Sequence, residues 1–228
     1  MVLEAESDKI PFFKQYFSVA ILVANIAVFI WQLLDPAMQM HIEAAFVPAD
    51  FFAGRNLWTL ISSMFMHGDY VHIIMNMWFF TVITDNCEHA LGHAYYLITY
   101  LVSGICGSLL HALTAIIIPV WGPILASIPS LGASGAIFGL MGVYLVLYPK
   151  NKFFLPSVSG TSMRKVNAGY FIITYFIAEL SYAIYSFYNP FGSSTAHWAH
   201  AGGFIVGAIA AGIFKAVKGT SYEKKPKT

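Results

Sequence analysis

The stretch HALGHAYYLITYLVSGICGSLLHALTAIIIPVWGPILASIPSLGASGAIFGLMGVYLVLYP, residues 89–149, contains no Asp, Glu, Lys or Arg. A helix on the surface of a soluble protein keeps a polar face toward water, and this stretch has no such face. A helix that crosses a membrane needs about 20 mainly apolar residues. The stretch therefore predicts two spans, at about 93–117 and 132–148, on either side of a segment that contains three prolines.

The rest of the chain has the same character. Of its 228 residues, 58% are hydrophobic and 10% are charged, whereas a typical soluble domain has about 25% charged residues. Further uncharged runs predict four more spans, at about 16–34, 69–86, 166–187 and 196–214. A transmembrane barrel would instead show alternating strands of about ten residues, and none is visible. The sequence predicts an all-α polytopic membrane protein, a bundle of six transmembrane helices.

The positive charges predict the orientation of these helices. If both termini lie on one side of the membrane, every Lys and Arg except Arg55 lies on that side. Cytoplasmic loops carry the excess of Lys and Arg, so both termini are predicted to be cytoplasmic in a multi-pass protein of the cell membrane. The predicted parts are a cytoplasmic N-terminal segment (1–15), a six-helix transmembrane domain (16–217) and a basic cytoplasmic tail (218–228).

The composition argues against two other classes of protein. The net charge is +1, and no basic face emerges that would neutralise the phosphates of nucleic acid. Cys87 and Cys106 are the only cysteines, too few for a disulfide framework or a four-thiolate metal site. We therefore predict that the chain lies in the lipid bilayer and that it binds no nucleic acid, metal or cofactor. The sequence does not indicate an oligomeric state.

Polar residues inside spans are costly and mark functional sites, and here they converge at one depth. Spans two, four and six all run from outside to inside. Three polar residues lie fifteen or sixteen positions before a charged residue near the inner end: His72 before Glu88, Ser134 before Lys150 and His200 before Lys215. At 1.5 Å per residue, each lies roughly 22–24 Å above the inner boundary. With Asn76, one turn below His72, they form one predicted polar layer.

Small residues predict that spans four and six pack closely. Span four opens with Gly132-Ala133-Ser134-Gly135, and Gly203 and Gly207 share one face of span six. Small residues at this spacing allow two helix backbones to approach each other. Tight packing alone would explain these glycines, and it would also bring Ser134 within reach of His200.

The chemistry of this pair is that of a serine nucleophile and its base. A hydroxyl becomes nucleophilic when a base takes its proton, and imidazole suits this role near neutral pH. No carboxylate lies at an obvious spacing to orient His200, so the sequence predicts a Ser134–His200 dyad. Phe138, one turn after Ser134, is predicted to pack against the imidazole. The Ser134 backbone N–H and the side chains of His72 and Asn76 are predicted donors to the developing oxyanion.

In this arrangement the chain resembles the rhomboid family of intramembrane serine proteases over about residues 57–207. The resemblance rests on three motifs in this order on spans two, four and six: His72-x3-Asn76, Gly132-x-Ser134-Gly135 and His200-x2-Gly203-x3-Gly207. It implies a six-helix protease core with a water-filled cavity open to the outside. Ser134 would be the nucleophile, His200 the base, and His72 and Asn76 the lining of the oxyanion hole.

The same resemblance implies features outside the polar layer. The segment 35–58 would be a membrane-embedded loop, and span five with its following loop would form a gate. The substrates would be single-span membrane proteins, cut near the outer face by a serine-type endopeptidase.

Four positions bear on these expectations. Thr59 stands where many members have arginine and Phe138 where tyrosine is frequent, but neither change touches the nucleophile or the base. His197 lies three residues before His200 and competes for the role of base, although its spacing to the later glycines does not match the family. Glu179, the only charged residue in span five, is predicted to face the cavity or to pair with a neighbour.

Three other classes of protein remain as alternatives. A metal or haem protein would use a cluster of His67, His72, His197 and His200, although no His-Glu-x-x-His motif or pair of carboxylate ligands accompanies them. A transporter or channel would show paired broken helices in two related halves, which are absent. A rhomboid-like binding protein without catalysis is disfavoured because Ser134 and His200 are both present.

Overall fold

The structure is a computed structural model that describes residues 3–4, 10–35, 39–117, 121–157, 162–192 and 195–219. Its helices are α1 (Tyr16–Leu33), α2 (Gln39–Ala44), α3 (Pro48–Phe52), α4 (Thr59–Ser62), α5 (Tyr70–Leu91), α6 (His93–Ile117), α7 (Gly122–Ala126), α8 (Ser134–Leu147), α9 (Ala168–Tyr185) and α10 (His197–Lys218). Its strands are β1 (Leu3–Glu4), β2 (Lys152–Pro156) and β3 (Met163–Asn167). Nearly all of the predicted basic tail, from residue 220 onward, lies outside the described residues.

The six predicted spans correspond to α1, α5, α6, α8, α9 and α10. Among the described residues, α1, α6, α9 and α10 are long and apolar enough to cross a membrane. Helix α5 has the length but carries Asp85, Asn86 and Glu88 near its C-terminal end. Helix α8 has 14 residues, or about 21 Å at 1.5 Å per residue, and so is shorter than the hydrocarbon core. The predicted all-α polytopic membrane fold is confirmed, with one small sheet in addition.

That sheet has three antiparallel strands in the order β1-β2-β3 and was not predicted. Strands β2 and β3 form a hairpin between α8 and α9, in which Phe153 is opposite Val166. Strand β1 pairs with β2, so that Leu3 is opposite Phe154. Leu3 and Glu4 are thereby held at the end of the bundle where α8 terminates.

Glu4 attaches this first strand to the ends of two helices. Its Oε1 accepts hydrogen bonds from Nδ2 of Asn86 on α5 (2.6 Å), from the hydroxyl of Tyr144 on α8 and from Nδ2 of Asn151 (3.3 Å). Burial disfavours the charged form of a carboxyl and raises the pKa of Glu4 from 4.5 to about 7, with a further contribution from nearby Asp85. The strand is therefore held most favourably when Glu4 is protonated.

The raised pKa of Glu4 predicts a pH-dependent stability. Because the folded state binds this proton more tightly than the unfolded chain, the contribution of Glu4 is fully present below about pH 4.5 and is lost as the pH rises through about 7. We expect the melting temperature of the wild type to fall across this window relative to that of Glu4→Gln, whose amide does not ionise. Thermal unfolding in detergent measures this difference. Parallel curves for the two proteins would show that Glu4 has no such effect.

Glu88 joins α1 to α5 and α6 near the same end of the bundle. This side chain is buried, and its two oxygens accept from the backbone N–H groups of Phe17 (3.0 Å) and Ser18 (2.9 Å) in the first turn of α1. Its Oε1 also lies 2.6 Å from Nδ1 of His93 at the start of α6. Free N–H groups and the positive end of the helix dipole favour a carboxylate at this place. Glu88 therefore fixes the relative positions of three helices.

Helices α8 and α10 pack backbone against backbone. A Cβ atom at Gly203 would lie 1.9 Å from the carbonyl oxygen of Gly135, and one at Gly207 would lie 1.9 Å from the carbonyl oxygen of Gly139. No side chain fits at either place, because the obstructing atoms belong to the neighbouring backbone. The predicted close packing of spans four and six is confirmed.

The predicted membrane-embedded loop, residues 35–58, contains α2 and α3. Phe46 exchanges two backbone hydrogen bonds with Ser130 (2.9 and 2.8 Å), which lies shortly before α8. Arg55 pairs with Asp50 within the loop, in an exposed contact. The loop is thus fastened to the segment that leads into α8, and its depth in a bilayer stays a prediction.

Candidate active site

Ser134 is the first residue of α8, so its backbone N–H has no partner within the helix. Two residues earlier, Gly132 has a φ of +128°, which residues with a side chain rarely adopt. A Cβ at Gly132 would also lie 2.8 Å from Nε2 of His72 and 3.7 Å from Oγ of Ser134. Glycine at this position therefore leaves room for the His72 ring beside the Ser134 hydroxyl.

The structure brings Ser134 and His200 into direct contact. The distance from Oγ of Ser134 to Nε2 of His200 is 2.7 Å, a normal hydrogen-bond length between a hydroxyl and a ring nitrogen. His200 lies in the first turns of α10 and is buried. The close approach of Gly203 to Gly135, one turn further along, holds the two helices at this separation.

Phe138 stacks on the ring of His200. The ring centroids are 4.2 Å apart and the planes differ by 9°. Phe138 also stacks on Tyr175 of α9, with ring centroids 5.6 Å apart and planes that differ by 22°. A face-to-face contact of this kind restricts rotation of the imidazole and leaves its edge nitrogens free to form hydrogen bonds.

The structure places a carboxylate beside His200, which its spacing along the chain did not indicate. Glu179 of α9 is buried, and its Oε2 lies 3.0 Å from Nδ1 of His200 and 2.6 Å from Nδ1 of His197. Helical spacing gave no sign of this contact, because a loop separates Glu179 from His200 along the chain. The available signal was the single carboxylate in an otherwise uncharged span.

His197 is the first residue of α10 and was the competing candidate for the base. Its Nδ1 contacts Glu179, and its ring stacks on Tyr182 with centroids 5.3 Å apart. Of the two histidines, His200 is the one that contacts Oγ of Ser134. The geometry therefore favours His200 over His197 as the partner of the serine.

His72 and Asn76 lie on α5 beside the serine. Nδ1 of His72 accepts from the backbone N–H of Gly68 (3.3 Å), so the neutral ring carries its proton on Nε2, the nitrogen next to Gly132. Asn76 is buried, and its Nδ2 donates to the carbonyl of His72 (3.0 Å). His72 thus presents an N–H toward the site. The amide of Asn76, in contrast, donates its described hydrogen bond to the backbone of α5 itself.

His67 precedes α5 and packs edge-on against His72, with ring centroids 5.0 Å apart. It is fully buried, and its ring nitrogens have no hydrogen-bond partner among the described residues. Burial lowers the pKa of His67 to about 4, so the ring is neutral at physiological pH. His67 therefore packs against His72 as a neutral ring.

Glu179, His197 and His200 are also spaced as a possible set of metal ligands, since their ligand atoms lie within 4.8 Å of one another. The two Nδ1–Oε2 distances, 2.6 and 3.0 Å, are however hydrogen-bond distances, so the three groups satisfy one another. A metal ion would have to displace both Nδ1 protons. The expectation of no metal stays a prediction.

The fold and this site define a polytopic membrane protein in which a partly buried serine contacts a buried imidazole inside a helix bundle. The family model described as the Rhomboid domain matches residues 54–216, which is most of the chain. The chain therefore belongs to the rhomboid family.

Relatives with curated names carry the same family designation. The chain is 32% identical over 141 residues to "Rhomboid protein 1, mitochondrial" of Saccharomyces cerevisiae, which covers 60% of this chain and 38% of the yeast protein. It is 36% identical over 92 residues to "RHOMBOID-like protein 6, mitochondrial" of Arabidopsis thaliana, covering 40% and 27% of the two chains. With "Rhomboid-like protease 3" of Toxoplasma gondii the identity is 33% over 103 residues, covering 45% and 35%. The matched region thus spans less than two fifths of each of these relatives.

Proposed function

We propose that this chain is an intramembrane serine endopeptidase that cleaves transmembrane segments of single-span membrane proteins near the outer face of the membrane. The observation that carries this proposal is the 2.7 Å contact between Oγ of Ser134 and Nε2 of His200 inside the helix bundle. Membership of the rhomboid family supports it, as does the name of the Toxoplasma relative, which describes that protein as a protease.

In the first half of the reaction, Ser134 is the nucleophile and His200 the base. As Oγ attacks the carbonyl carbon of the scissile peptide, its proton moves to Nε2 of His200 and the carbonyl oxygen becomes an oxyanion. The tetrahedral intermediate then collapses, the C–N bond breaks, and the proton passes from Nε2 to the leaving amine. The products of this half are an acyl-enzyme on Ser134 and a free amine.

In the second half, water replaces the amine. His200 takes a proton from the water molecule while the oxygen of that water attacks the acyl carbon. The bond to Oγ of Ser134 breaks, the acid product leaves, and the proton on Nε2 returns to Oγ. This half requires water at Ser134, so the site needs an aqueous path into the bundle.

Three donors are suited to the oxyanion. The backbone N–H of Ser134 has no partner within α8, because Ser134 begins the helix, and it adds the positive end of the helix dipole. Nε2–H of His72 lies next to Gly132. The amide of Asn76, which donates to the carbonyl of His72 in this structure, would be the third donor. Donors that are already in place when the charge develops stabilise the transition state most.

The length of α8 supports cleavage inside the membrane and near one surface. Ser134 begins a helix of 14 residues, about 21 Å long, in a hydrocarbon core of about 30 Å. If α8 ends at one boundary, Ser134 lies about 10 Å below the other. The positions of Lys and Arg support an orientation in which both termini are cytoplasmic and Ser134 lies near the outer face of the cell membrane.

Cleavage of defined substrates in proteoliposomes tests this function. A single-span substrate with a small residue at the cut and Gly or Pro nearby should be cleaved, because the segment must unwind before its carbonyl is accessible. A polyleucine span of equal length should be cleaved far more slowly, and Ser134→Ala should cleave neither. Equal cleavage of both spans would contradict the substrate class, and cleavage by Ser134→Ala would contradict the mechanism.

A further inference from the structure

We propose that Glu179 is a positioning residue for His200, and that its carboxylate fixes the tautomer in which Nε2 can accept the proton of Ser134. The inference rests on the proposed function, because it assigns His200 the role of base. It replaces the dyad expected from the sequence by a chain of three groups, Ser134–His200–Glu179.

The first support is the burial of this carboxylate on a helix that otherwise offers mainly apolar residues to the bundle. The buried residues of α9 are Ala168, Gly169, Ile172, Glu179 and Ala183. A buried charge is costly unless it is paired and hydrogen-bonded. Glu179 directs Oε2 to two imidazole nitrogens, at 2.6 and 3.0 Å. The hydrogen bonds to the two histidines therefore explain why this carboxylate can be buried.

The second support is the direction of the hydrogen bonds around His200. An ionised carboxylate only accepts hydrogen bonds, so Nδ1 of His200 carries the proton that points to Glu179. In the neutral ring Nε2 is then unprotonated, and this is the nitrogen that lies 2.7 Å from Oγ of Ser134. With the other tautomer, Nε2 would donate and could not remove the serine proton.

The third support is that α9 constrains the ring from two directions. Tyr175, four residues before Glu179 on the same face of α9, stacks on Phe138, which stacks on His200. The stack fixes the plane of the imidazole, and Glu179 fixes its rotation within that plane. The same carboxylate would stabilise the imidazolium that forms as Ser134 is deprotonated.

His197 has a separate part in this arrangement. Its Nδ1 lies closer to Oε2 of Glu179 than Nδ1 of His200 does, at 2.6 against 3.0 Å. A second donor on the same oxygen holds the carboxylate between the two rings. His197 therefore supports Glu179 and does not replace His200.

Glu179→Gln tests the proposal because it removes the charge and leaves the shape. Its amide can turn an N–H toward Nδ1 of His200 and select the wrong tautomer, so kcat for substrate cleavage should fall about 10²-fold or more, with KM within about twofold. The maximal rate of modification by a small fluorophosphonate should fall to a similar extent. The melting temperature should stay close to that of the wild type.

Two further variants separate positioning from packing. Glu179→Asp keeps the charge on a shorter arm and should recover part of the rate lost in Glu179→Gln. Ser181→Ala is the matched control on α9, because the Ser181 hydroxyl is exposed and bonds only to the carbonyl of Ile177 among its described contacts; its rates should be unchanged. Losses that follow the melting temperature through all variants would mean that Glu179 only anchors α9 and would overturn the proposal.

A spectroscopic readout keeps this test independent of proteolysis. In protein labelled with ¹⁵N-histidine, the His200 signals, identified by their loss in His200→Ala, should show protonated Nδ1 and unprotonated Nε2. In Glu179→Gln the protonated fraction of Nε2 should rise. The same tautomer in both proteins would refute the role of Glu179 even if the wild type is an active protease. If the Nε2 protonation rises in Glu179→Gln as expected but the wild type cleaves no substrate, the proposed function is refuted and the role of Glu179 in setting the tautomer stands.

Discussion

Replacing His200 by alanine should lower the rate of substrate cleavage by about 10⁴-fold or more, and Ser134→Ala should have a similar effect. Both residues act in one proton transfer, so loss of either removes the same step, and removal of such residues from a serine protease costs rates of this order. The geometric basis is the 2.7 Å contact between Oγ of Ser134 and Nε2 of His200. Initial rates on a single-span substrate in detergent, per folded molecule, measure the loss.

His197→Ala is the matched control for this prediction. His197 is also buried on the same helix, and its described hydrogen bond is to Glu179. The His197→Ala variant should therefore lose at most about tenfold in cleavage rate, because Glu179 would be held less firmly. His72→Ala and Asn76→Ala should fall between, at about 10²–10³ in kcat, the usual cost of one oxyanion donor. If His197→Ala were inactive and His200→Ala active, the base would be the other histidine.

Gly203→Ala should destabilise the whole bundle and also reduce activity. The added Cβ would lie 1.9 Å from the carbonyl oxygen and 2.8 Å from the carbonyl carbon of Gly135, which are backbone atoms that cannot move aside. Overpacking a close contact typically costs about 1–3 kcal/mol. Because α8 carries Ser134 and α10 carries His200, separating these helices also lengthens their hydrogen bond, and a shift of about 1 Å can cost roughly 10²-fold in rate.

Gly212→Ala, on the same helix, is the control for Gly203→Ala. A Cβ at Gly212 would meet no atom within 4 Å, so the same substitution should be neutral or slightly stabilising, by up to about 1 kcal/mol, from higher helix propensity. Melting temperature and cleavage rate should both fall in Gly203→Ala. Neither should fall in Gly212→Ala. Equal stability of the two variants would contradict the close packing of α8 on α10.

The bundle and most of the polar site could be predicted because both depend on patterns within single helices. The uncharged run between Glu88 and Lys150 requires lipid or a wholly buried position. The glycines of spans four and six require a close helix pair, and that pair sets the distance between Ser134 and His200. A residue's depth follows from counting along a helix, so three helices could be aligned without knowledge of their packing.

Contacts that depend on rotation of one helix against another could not be predicted in this way. Glu179 could be placed in the correct span, but the side of α9 that faces His200 depends on packing around Phe138 and Tyr175. Strand β1 was missed for a related reason. Its partner β2 follows α8 and is therefore far from β1 along the chain, although the two strands pair in the fold. Sequence spacing carries no information about such pairings.

Mass-spectrometric mapping of the residue modified by a fluorophosphonate tests the central claim most directly. The wild type in detergent should carry the adduct on Ser134, because its Oγ lies 2.7 Å from Nε2 of His200, the proposed base. Labelling should disappear in Ser134→Ala and nearly disappear in His200→Ala, while Ser181→Ala labels normally. An adduct on another serine, or no adduct in a preparation that cleaves its substrate, would contradict the assignment of Ser134 as the nucleophile.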